Sequence, residues 1–304
     1  MRTSTAHRGI TRALVLAGAA GMVALGGASA LATGSNGPEA TPDDLPDALF
    51  LDAVIRDFPD SHPDFQAFSG TTTVGLVNDT LDEDGLPTVR DLRGSKISKE
   101  FQDSSGRNIN PALFDPAQGD VAGTLVDGPA SNGFYSEESF SQWFRDVAGS
   151  NVRITVPLKL VRTPGTNTYV FDSASHEPYA SAGGFFPING QGYGDFRDGQ
   201  NFHFTTMIDT TFVYDADSNP IFKFTGDDDV WVFIDDKLVV DLGGLHPKRE
   251  QFLDLTRLEW LEDGEEYGLK IFHAERRTSQ SNFRIETTLT LRRVELPTTN
   301  GAFD

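Results

Sequence analysis

The sequence predicts an all-β protein, a β-sandwich or β-barrel with long loops and one short helix. Apolar and polar residues alternate over several segments of strand length, which directs one face of each strand into a core. Turn-forming Gly, Pro, Asn and Asp recur at short intervals between those segments. The chain has no cysteine and 23 phenylalanines, so the expected core is apolar and aromatic and needs no disulfides.

The N-terminal segment has the form of a secretory signal. Arginines make its start basic, and an apolar run over residues 13–27 follows and ends in small residues. This run is too short for a comfortable membrane span. Residues 1–32 are therefore predicted to be a signal peptide, with the mature N terminus at Leu31 or Thr33. We expect a secreted, extracellular protein of the cell surface or matrix, with no membrane span after cleavage.

The rest of the chain divides into a linker, one domain and a tail. Residues 33–47 are rich in Pro, Gly, Asp and Thr and are predicted to be a linker. The domain is predicted over residues 48–295, with its core at about 152–293, and residues 296–304 form a tail. A first strand is expected directly after Ala48, because apolar residues alternate there.

One helix is predicted, over residues 136–147. Ser136 can cap it, and two glutamates follow in the first turn, where the helix dipole favours negative charge. Apolar side chains then recur at helical spacing and predict a buried stripe. The stripe consists of Phe140, Trp143, Phe144 and Val147. Before this helix, the composition of residues 79–135 indicates long loops with short strands.

From residue 152 onwards the pattern predicts strands. The clearest alternation is that of Val152, Ile154, Val156, Leu158 and Leu160. Later segments are shorter and rich in β-branched and aromatic residues. The remaining predicted strands lie within 202–214, 221–224, 230–234, 238–240, 269–271 and 283–291.

The charge of the chain limits its partners. The formal net charge is −20. An acidic surface repels phosphate backbones and anionic lipids, so nucleic acid and bare membrane are excluded as partners. The same charge attracts cations, although solubility alone could also account for it.

One short segment indicates cation binding. Asp227, Asp228 and Asp229 stand side by side and lead directly into the apolar segment 230–234. Adjacent like charges repel each other, so such a cluster is favoured when water solvates it or a cation neutralises it. Carboxylate oxygens are hard ligands that suit calcium. The alternative from the residues alone is a solvated turn before a strand.

The sequence gives little support for catalysis. It contains no HExxH, no GxSxG, no GxxxxGK[ST] and no GxGxxG before a helix. His273 and Glu275 are two residues apart and could share a strand face as an acid–base pair. The alternative is that Glu275 forms a structural ion pair with Arg276 or Arg277. We therefore predict that the protein is not an enzyme and has no catalytic residues.

Over about residues 48–293 the chain resembles the fibro-slime domain, a branch of the protective-antigen-like (lectin-like) superfamily. The order of several motifs carries the resemblance. These are IRDF at 55–58, FFP at 185–187, HFT at 203–205, GDDDVWVFI at 226–234, LGGLH at 242–246, HAER at 273–276 and SNFRI at 281–285.

The resemblance implies a fold and a metal site. The fold is an antiparallel two-sheet β-sandwich. Sugar-binding relatives hold calcium on two consecutive aspartates joined by a cis peptide, together with a loop asparagine, and the ion contacts sugar hydroxyls. Asp227 and Asp228 match the aspartate pair, and Asn282 is the candidate asparagine. Asp229 and His246 are expected to contact the ligand.

The resemblance also implies a function, a secreted calcium-dependent carbohydrate-binding or adhesion module without catalysis. The expected partner is a glycan or cell-surface polysaccharide. The alternative is a structural component of an extracellular matrix or slime, in which calcium only stabilises the fold. Asp229 stands where many members of the superfamily have glycine, and the loop after Glu275 is short.

Overall fold

A computed structural model describes residues 45–67, 70–128 and 133–294. The predicted signal peptide, most of the predicted linker and the predicted tail at 296–304 lie outside these ranges. No helix within them is both long and apolar enough to cross a membrane.

The described residues form fourteen strands and two short α-helices. The helices are α1 (Glu137–Ser141) and α2 (Tyr179–Ala182). The strands are β1 (Ala48–Asp57), β2 (Thr73–Val74), β3 (Ser95–Lys99), β4 (Thr124–Asp127), β5 (Val152–Arg162), β6 (Tyr169–Asp172), β7 (Phe204–Val213), β8 (Ile221–Gly226), β9 (Asp229–Ile234), β10 (Lys237–Leu242), β11 (Arg249–Asp254), β12 (Glu266–Glu275), β13 (Phe283–Thr287) and β14 (Arg292–Arg293).

Eleven of these strands form one antiparallel sheet. Its order is β10-β9-β12-β7-β1-β5-β6-β13-β8-β11, and β14 pairs with β7. The two edges approach each other, because the Gln251 side chain of β11 bonds the backbone of Asp241 in β10. The sheet is therefore nearly barrel-shaped. The all-β antiparallel prediction is confirmed, whereas a sandwich of two separate large sheets is not.

A small sheet of β2, β3 and β4 stands beside the barrel-like sheet. Thr73 in β2 and Gly243 after β10 exchange two backbone hydrogen bonds, of 2.7 and 2.8 Å, which tie the two sheets together. The long irregular stretches around these strands agree with the loops predicted for residues 79–135.

The main core fills the inside of the curved sheet. β1 lies between β7 and β5 at its centre, although it precedes the span 152–293 that the sequence analysis assigns to the core. All six residues of β9 are buried. Val230 and Val232 face the main core, while Trp231 and Phe233 face a second apolar cluster outside the sheet. The chain around α1 covers that outer cluster.

The predicted helix at 136–147 is shorter than expected. Ser136 caps α1 through a reciprocal capping box with Ser139, as the sequence indicated for the N terminus. The helix stops at Ser141 because the Asn151 side chain donates to the carbonyls of Gln142 and Arg145, at 2.9 and 2.8 Å. Phe140, Trp143 and Phe144 are still buried, so the predicted stripe packs as expected apart from a half-buried Val147.

Three strand connections meet at one end of the barrel. The β8–β9 connection is the pair Asp227 and Asp228, the β10–β11 connection is 243–248, and the β12–β13 connection is 276–282. They run close together: a Cβ on Gly226 would lie 2.5 Å from the carbonyl oxygen of Asn282. Only glycine therefore permits this approach without a shift of backbone.

Candidate functional site

An open cleft of about 340 Å³ lies at the end of the barrel where these connections meet. The aspartate pair belongs to its lining, with one wall on either side. One wall is the β10–β11 connection and the other is the β12–β13 connection. The lining residues are Gly70, Asp227, Asp228, Leu245, His246, Pro247, Arg277, Thr278, Ser279 and Gln280.

Asp227 and Asn282 are in direct contact, as the sequence analysis expected of two residues in one site. The Asn282 side chain donates to Asp227 Oδ2 at 2.9 Å, and its backbone N–H donates to Asp227 Oδ1. The Asp227 backbone N–H donates to the Asn282 carbonyl at 3.3 Å. Burial is the main cause that raises the pKa of Asp227, and the Asn282 hydrogen bonds oppose it.

Asp228 is a buried carboxyl with one fixed partner. Its Oδ2 accepts the Arg276 backbone N–H at 3.0 Å, while its Oδ1 accepts no hydrogen bond from the described residues. The pKa of Asp228 is raised to about 7, mainly by burial; the backbone hydrogen bond and the charge of Arg276 oppose the rise, and the charges of Asp229 and Asp227 add to it. A nearby cation would reverse this, because it would stabilise the ionised form.

Asp229 is placed away from the cleft. It is the first residue of β9, and successive strand residues point to opposite faces, so it joins the outer face with Trp231. It is fully buried and forms an ion pair with Arg276 at 2.7 Å, while Gly244 N–H donates to its other oxygen at 2.6 Å. Asp229, predicted to contact the ligand, instead belongs to an internal charge pair, because it is fully buried on the outer face against Arg276.

Arg276 organises this end of the barrel. Its guanidinium is fully buried, donates to the carbonyl of Gly133 at 2.9 Å and lies 5.0 Å from the centre of the Trp143 ring. Together with the ion pair to Asp229, these contacts join the β12–β13 connection to the chain around α1. Because these contacts hold the β12–β13 connection in place, they also position the Arg276 backbone N–H that donates to Asp228.

His246, which the sequence predicted to contact the ligand, forms part of the cleft wall, and backbone carbonyls hold its ring. Nδ1 lies 3.0 Å from the Pro247 carbonyl and Nε2 lies 3.4 Å from the Leu242 carbonyl. Burial lowers its pKa, so the neutral ring is favoured. The imidazole therefore supplies shape and one polar edge to the wall, rather than positive charge.

His273 and Glu275 do not form an acid–base pair. The His273 ring sits among Phe185, Phe204 and Phe283, and its Nε2 lies 3.2 Å from the Asp227 carbonyl. Burial lowers the pKa of His273 to about 3. Glu275 is fully buried behind the aspartate pair, and burial followed by the charges of Asp228 and Asp227 raises its pKa well above the usual value.

The oxygen atoms at this end of the barrel fit calcium better than a softer metal. The described His, Cys, Asp and Glu side chains form no group of three or more that could hold a metal ion. A cation would therefore depend on Asp227, Asp228, the Asn282 amide oxygen and backbone carbonyls, a set of hard ligands. The Asp227–Asp228 peptide bond is trans, since the only cis bond within the described residues is Glu177–Pro178.

Sequence reasoning missed the wall that runs from Arg277 to Gln280 and the wall residues Leu245 and Pro247. The available signal was a short run of polar residues, RTSQ, between two predicted strands. Loops that connect strands at one end of a β fold commonly carry binding residues. The missing information was the strand order, which decides which connections share an end.

A comparison with known protein families matches the part of the chain that contains the three connections. Residues 194–299, which contain all three connections, match the PA14 domain family, whose members are often carbohydrate-binding. Psi proteins of Dictyostelium discoideum are similar over most of the chain. The identity is 32% over 252 residues with psiI, covering 79% of this chain and 30% of that protein. It is 37% over 254 residues with psiD, covering 80% and 42%.

The chain thus spans less than half the length of these relatives. Among solved structures, the α-xylosidase from Xanthomonas citri is 12% identical with a TM-score of 0.24, covering 81% of this chain and 22% of that protein. Such a low TM-score carries no argument about fold or activity.

Proposed function

We propose that this chain is a secreted, non-catalytic module that binds carbohydrate in a calcium-dependent manner, as a lectin or adhesion domain. The observation that carries the proposal is the open cleft in which Asp227 and Asp228 line one surface beside Asn282. The PA14 match over residues 194–299 supports it, because PA14 domains often bind carbohydrates and are typically extracellular.

The electrostatics of the site support a role for calcium. Asp227 and Asp228 are buried next to each other, and Glu275 adds a third carboxyl behind them. Burying several carboxyls together is costly unless they are protonated or a cation neutralises them. A bound calcium ion would supply that positive charge and would offer open coordination positions to ligand hydroxyls.

The residues around the aspartate pair have different roles in such a site. Asn282 holds Asp227 through its backbone and its side chain, which orients that carboxylate towards the cleft wall. The Arg276 backbone holds one oxygen of Asp228. Arg276 also removes Asp229 from the site by pairing with it. Of the three consecutive aspartates, two are thereby left for the cation.

Calorimetric titration with calcium tests the metal site. We expect the wild type to bind calcium, Asp228→Asn to bind it more weakly because a charge is lost, and Asn282→Ala to bind it more weakly because a ligand is lost. Asn167→Ala is the matched control. Asn167 is a half-buried asparagine in the connection between β5 and β6, and it donates to the Ser218 carbonyl at 3.2 Å. Wild-type affinity in Asn282→Ala would place the site elsewhere.

A glycan array with and without chelator separates lectin function from the structural alternative. The proposal predicts glycan binding that disappears in chelator and in Asp228→Asn. A purely structural role for calcium in a matrix or slime predicts that chelator lowers the melting temperature while no glycan binds under either condition.

A further inference from the structure

We propose, building on the proposed function, that three exposed aromatic side chains at the cleft end of the barrel bind further sugar units of a neutral polysaccharide, beyond the unit held at the cleft. They belong to Tyr135, Tyr193 and Phe196, which are 68%, 46% and 41% exposed. An aromatic ring offers a flat apolar surface against which the C–H face of a pyranose packs. The preferred ligand is therefore an extended chain of sugars, not a single terminal one.

Exposed aromatic side chains are concentrated at this end of the molecule. The described residues have four of them, these three and Phe50. Phe50 lies in β1 seven residues before Asp57, about 23 Å along the strand. Asp57 marks the cleft end, because it pairs with Phe204 of β7, which pairs in turn with Glu275 of β12. Single exposed apolar side chains are common on any surface, whereas several around one site mark a binding surface.

Two buried aspartates hold the backbone of the two tyrosines. Asp57 and Asp64 are both fully buried. Asp64 Oδ1 accepts the Tyr135 N–H at 2.6 Å, and Asp57 Oδ2 accepts the Tyr193 N–H. The other oxygen of each aspartate accepts from a buried side chain, at 3.0 and 2.6 Å. The exposed rings thus project from backbone that is fixed from inside, which reduces the entropy lost when a ligand is bound.

Phe196 lies in the chain between α2 and β7, and other contacts fix it there. Its ring centre lies 4.5 Å from that of the buried His203 ring. Its backbone N–H donates to the Gln200 carbonyl at 3.0 Å, which closes a tight turn. Gly192 of the same segment has a φ of +60°, and a Cβ there would clash with the Asp57 carboxylate, so this segment needs glycine where it crosses the aspartate.

The β12–β13 connection, which forms one wall of the cleft, is fastened to both aromatic segments. At its start, the Arg276 guanidinium donates to the carbonyl of Gly133, two residues before the first tyrosine. Near its end, the Ser281 carbonyl accepts the Phe185 N–H and the Ser281 hydroxyl donates to the Phe185 carbonyl, both at 2.7 Å. Phe185 leads into the segment with the other two rings. The wall at 277–280 therefore has an aromatic segment fastened at each of its ends.

The charges beside the rings favour a neutral ligand. Glu137 and Glu138 follow shortly after the first tyrosine, and both are exposed. Asp195, Arg197 and Asp198, also exposed, surround the phenylalanine with a net negative charge. These carboxylates repel a polyanion or an anionic lipid surface, whereas an uncharged polysaccharide meets no such penalty. The combination of exposed rings and acidic surroundings thus matches a chain of neutral sugars.

Oligosaccharides of increasing length test the inference by titration of the calcium-loaded protein. The probes are cello-, manno- and galacto-oligosaccharides, each from the monosaccharide to the hexasaccharide. We expect the affinity in one series to rise by about tenfold or more with length, because each further sugar gains an aromatic contact. Tyr135→Ala, Tyr193→Ala and Phe196→Ala should each reduce this rise by about threefold to fivefold, while the monosaccharide binds as in the wild type.

Phe50→Ala is the matched control, because it removes an exposed ring near the other end of β1. It should keep the full rise, and so should Tyr193→Phe, which retains the ring and loses only the hydroxyl. Affinity independent of length in every series, or a rise that survives in all three alanine variants, would overturn the aromatic subsites and leave calcium-dependent binding standing. If no member of any series binds to the calcium-loaded protein, the proposed function is overturned as well.

Discussion

Two clefts of nearly equal size contain buried carboxyls whose surroundings differ. The cleft at the end of the barrel, about 340 Å³, contains Asp227 and Asp228. A second cleft, of about 360 Å³, lies between the small sheet, β10 and residues 110–112, and contains Asp241. Burial raises the pKa of both Asp228 and Asp241 to about 7, so neither burial nor the direction of the shift tells the two clefts apart.

The partners of each carboxyl do distinguish them. Asp241 Oδ2 accepts the Gly75 N–H at 2.7 Å, and its own backbone N–H and C=O are held by Gln251. The Trp231 indole N–H approaches the carboxyl and opposes the rise of its pKa. Asp241 thus fastens the chain after β2 to the barrel as a single carboxyl. Asp228 instead accepts its hydrogen bond from the Arg276 backbone N–H and lies beside two further aspartates, Asp227 and Asp229.

The difference teaches that burial alone does not characterise a carboxyl: Asp228 adjoins two further aspartates, whereas the charges that act on Asp241 are those of Asp79 and Arg90, which oppose each other. Asp241 is a structural fastener, because the hydrogen bond from Gly75 offsets part of its desolvation and ties the chain after β2 to β10. The aspartate pair instead brings like charges together, an arrangement that a bound cation would relieve.

Removing Arg276 should have the largest effect, and it tests the internal pair behind the first cleft. Arg276→Met leaves Asp229 as an uncompensated buried charge, so the free energy of unfolding should fall by about 3–5 kcal/mol. Urea denaturation measures this. Arg277→Met is the neighbouring control on an exposed residue and should change stability by less than about 0.5 kcal/mol. Equal small losses would show that the Asp229 pair does not hold the barrel end.

Asp241→Ala should have the next largest effect and tests the fastener. The Gly75 N–H loses its acceptor, which should cost about 1–3 kcal/mol. The measurement belongs at pH 5, where the wild-type carboxyl with its pKa of about 7 is protonated and its removal relieves no buried charge. Hydrogen exchange should accelerate at Gly75 and β2. Asp79→Ala, an exposed carboxylate of the same cleft, is the control, and a similar acceleration there would contradict the assignment.

Calcium should separate the pH responses of the two clefts. Both folded-state pKa values lie above the unfolded value of about 4, so each carboxyl stabilises the fold fully below pH 4. That stability is lost as the pH rises through 7. In chelator, Asp228→Asn and Asp241→Asn should each reduce the fall in the free energy of unfolding with rising pH, relative to the wild type.

Calcium added to the wild type should abolish the pH-dependent loss of stability that Asp228→Asn abolishes. It should leave unchanged the pH-dependent loss that Asp241→Asn abolishes. Chemical denaturation at a series of pH values, with and without calcium, measures both. If calcium suppresses the two losses equally, the ion stabilises the whole fold without preferring the first cleft.

The smallest effect is expected at the mouths of the clefts. Arg277→Gln and Arg90→Gln should each change the free energy of unfolding by less than about 0.5 kcal/mol, because exposed ion pairs contribute little. Thermal melts measure this. A loss above 1 kcal/mol in Arg277→Gln alone would mean that this arginine supports the fold.

Local pattern in the sequence accounts for much of the fold. Alternation predicts β1, β5 and most of the later strands, and the Ser136 cap marks the start of α1. It could not predict how the strands pair. β9 lies between β10 and β12, whereas β8, only two residues earlier, lies between β13 and β11. This order depends on contacts far apart in the chain, which no local pattern encodes.

The site was predictable to a similar degree. The carboxylate triplet and the motif order point to Asp227, Asp228 and Asn282, and the structure brings Asp227 and Asn282 into contact. The placement of Asp229 on the outer face, paired with Arg276, could not be predicted. It depends on the exact start of β9, because a shift of one residue would exchange the faces of Asp228 and Asp229. Its partner, Arg276, is supplied by the β12–β13 connection, more than forty residues later.

The Gln251 side chain has a consequence for how this protein meets other copies of itself. An open sheet presents unpaired N–H and C=O groups at its edges, and a second chain can extend the sheet there. Gln251 occupies one such edge position by donating to the Asp241 carbonyl at 2.8 Å and accepting its N–H at 2.9 Å, as a peptide group would. One amide side chain thereby blocks strand addition at the seam, which disfavours edge-to-edge polymerisation of the barrel at high protein concentration.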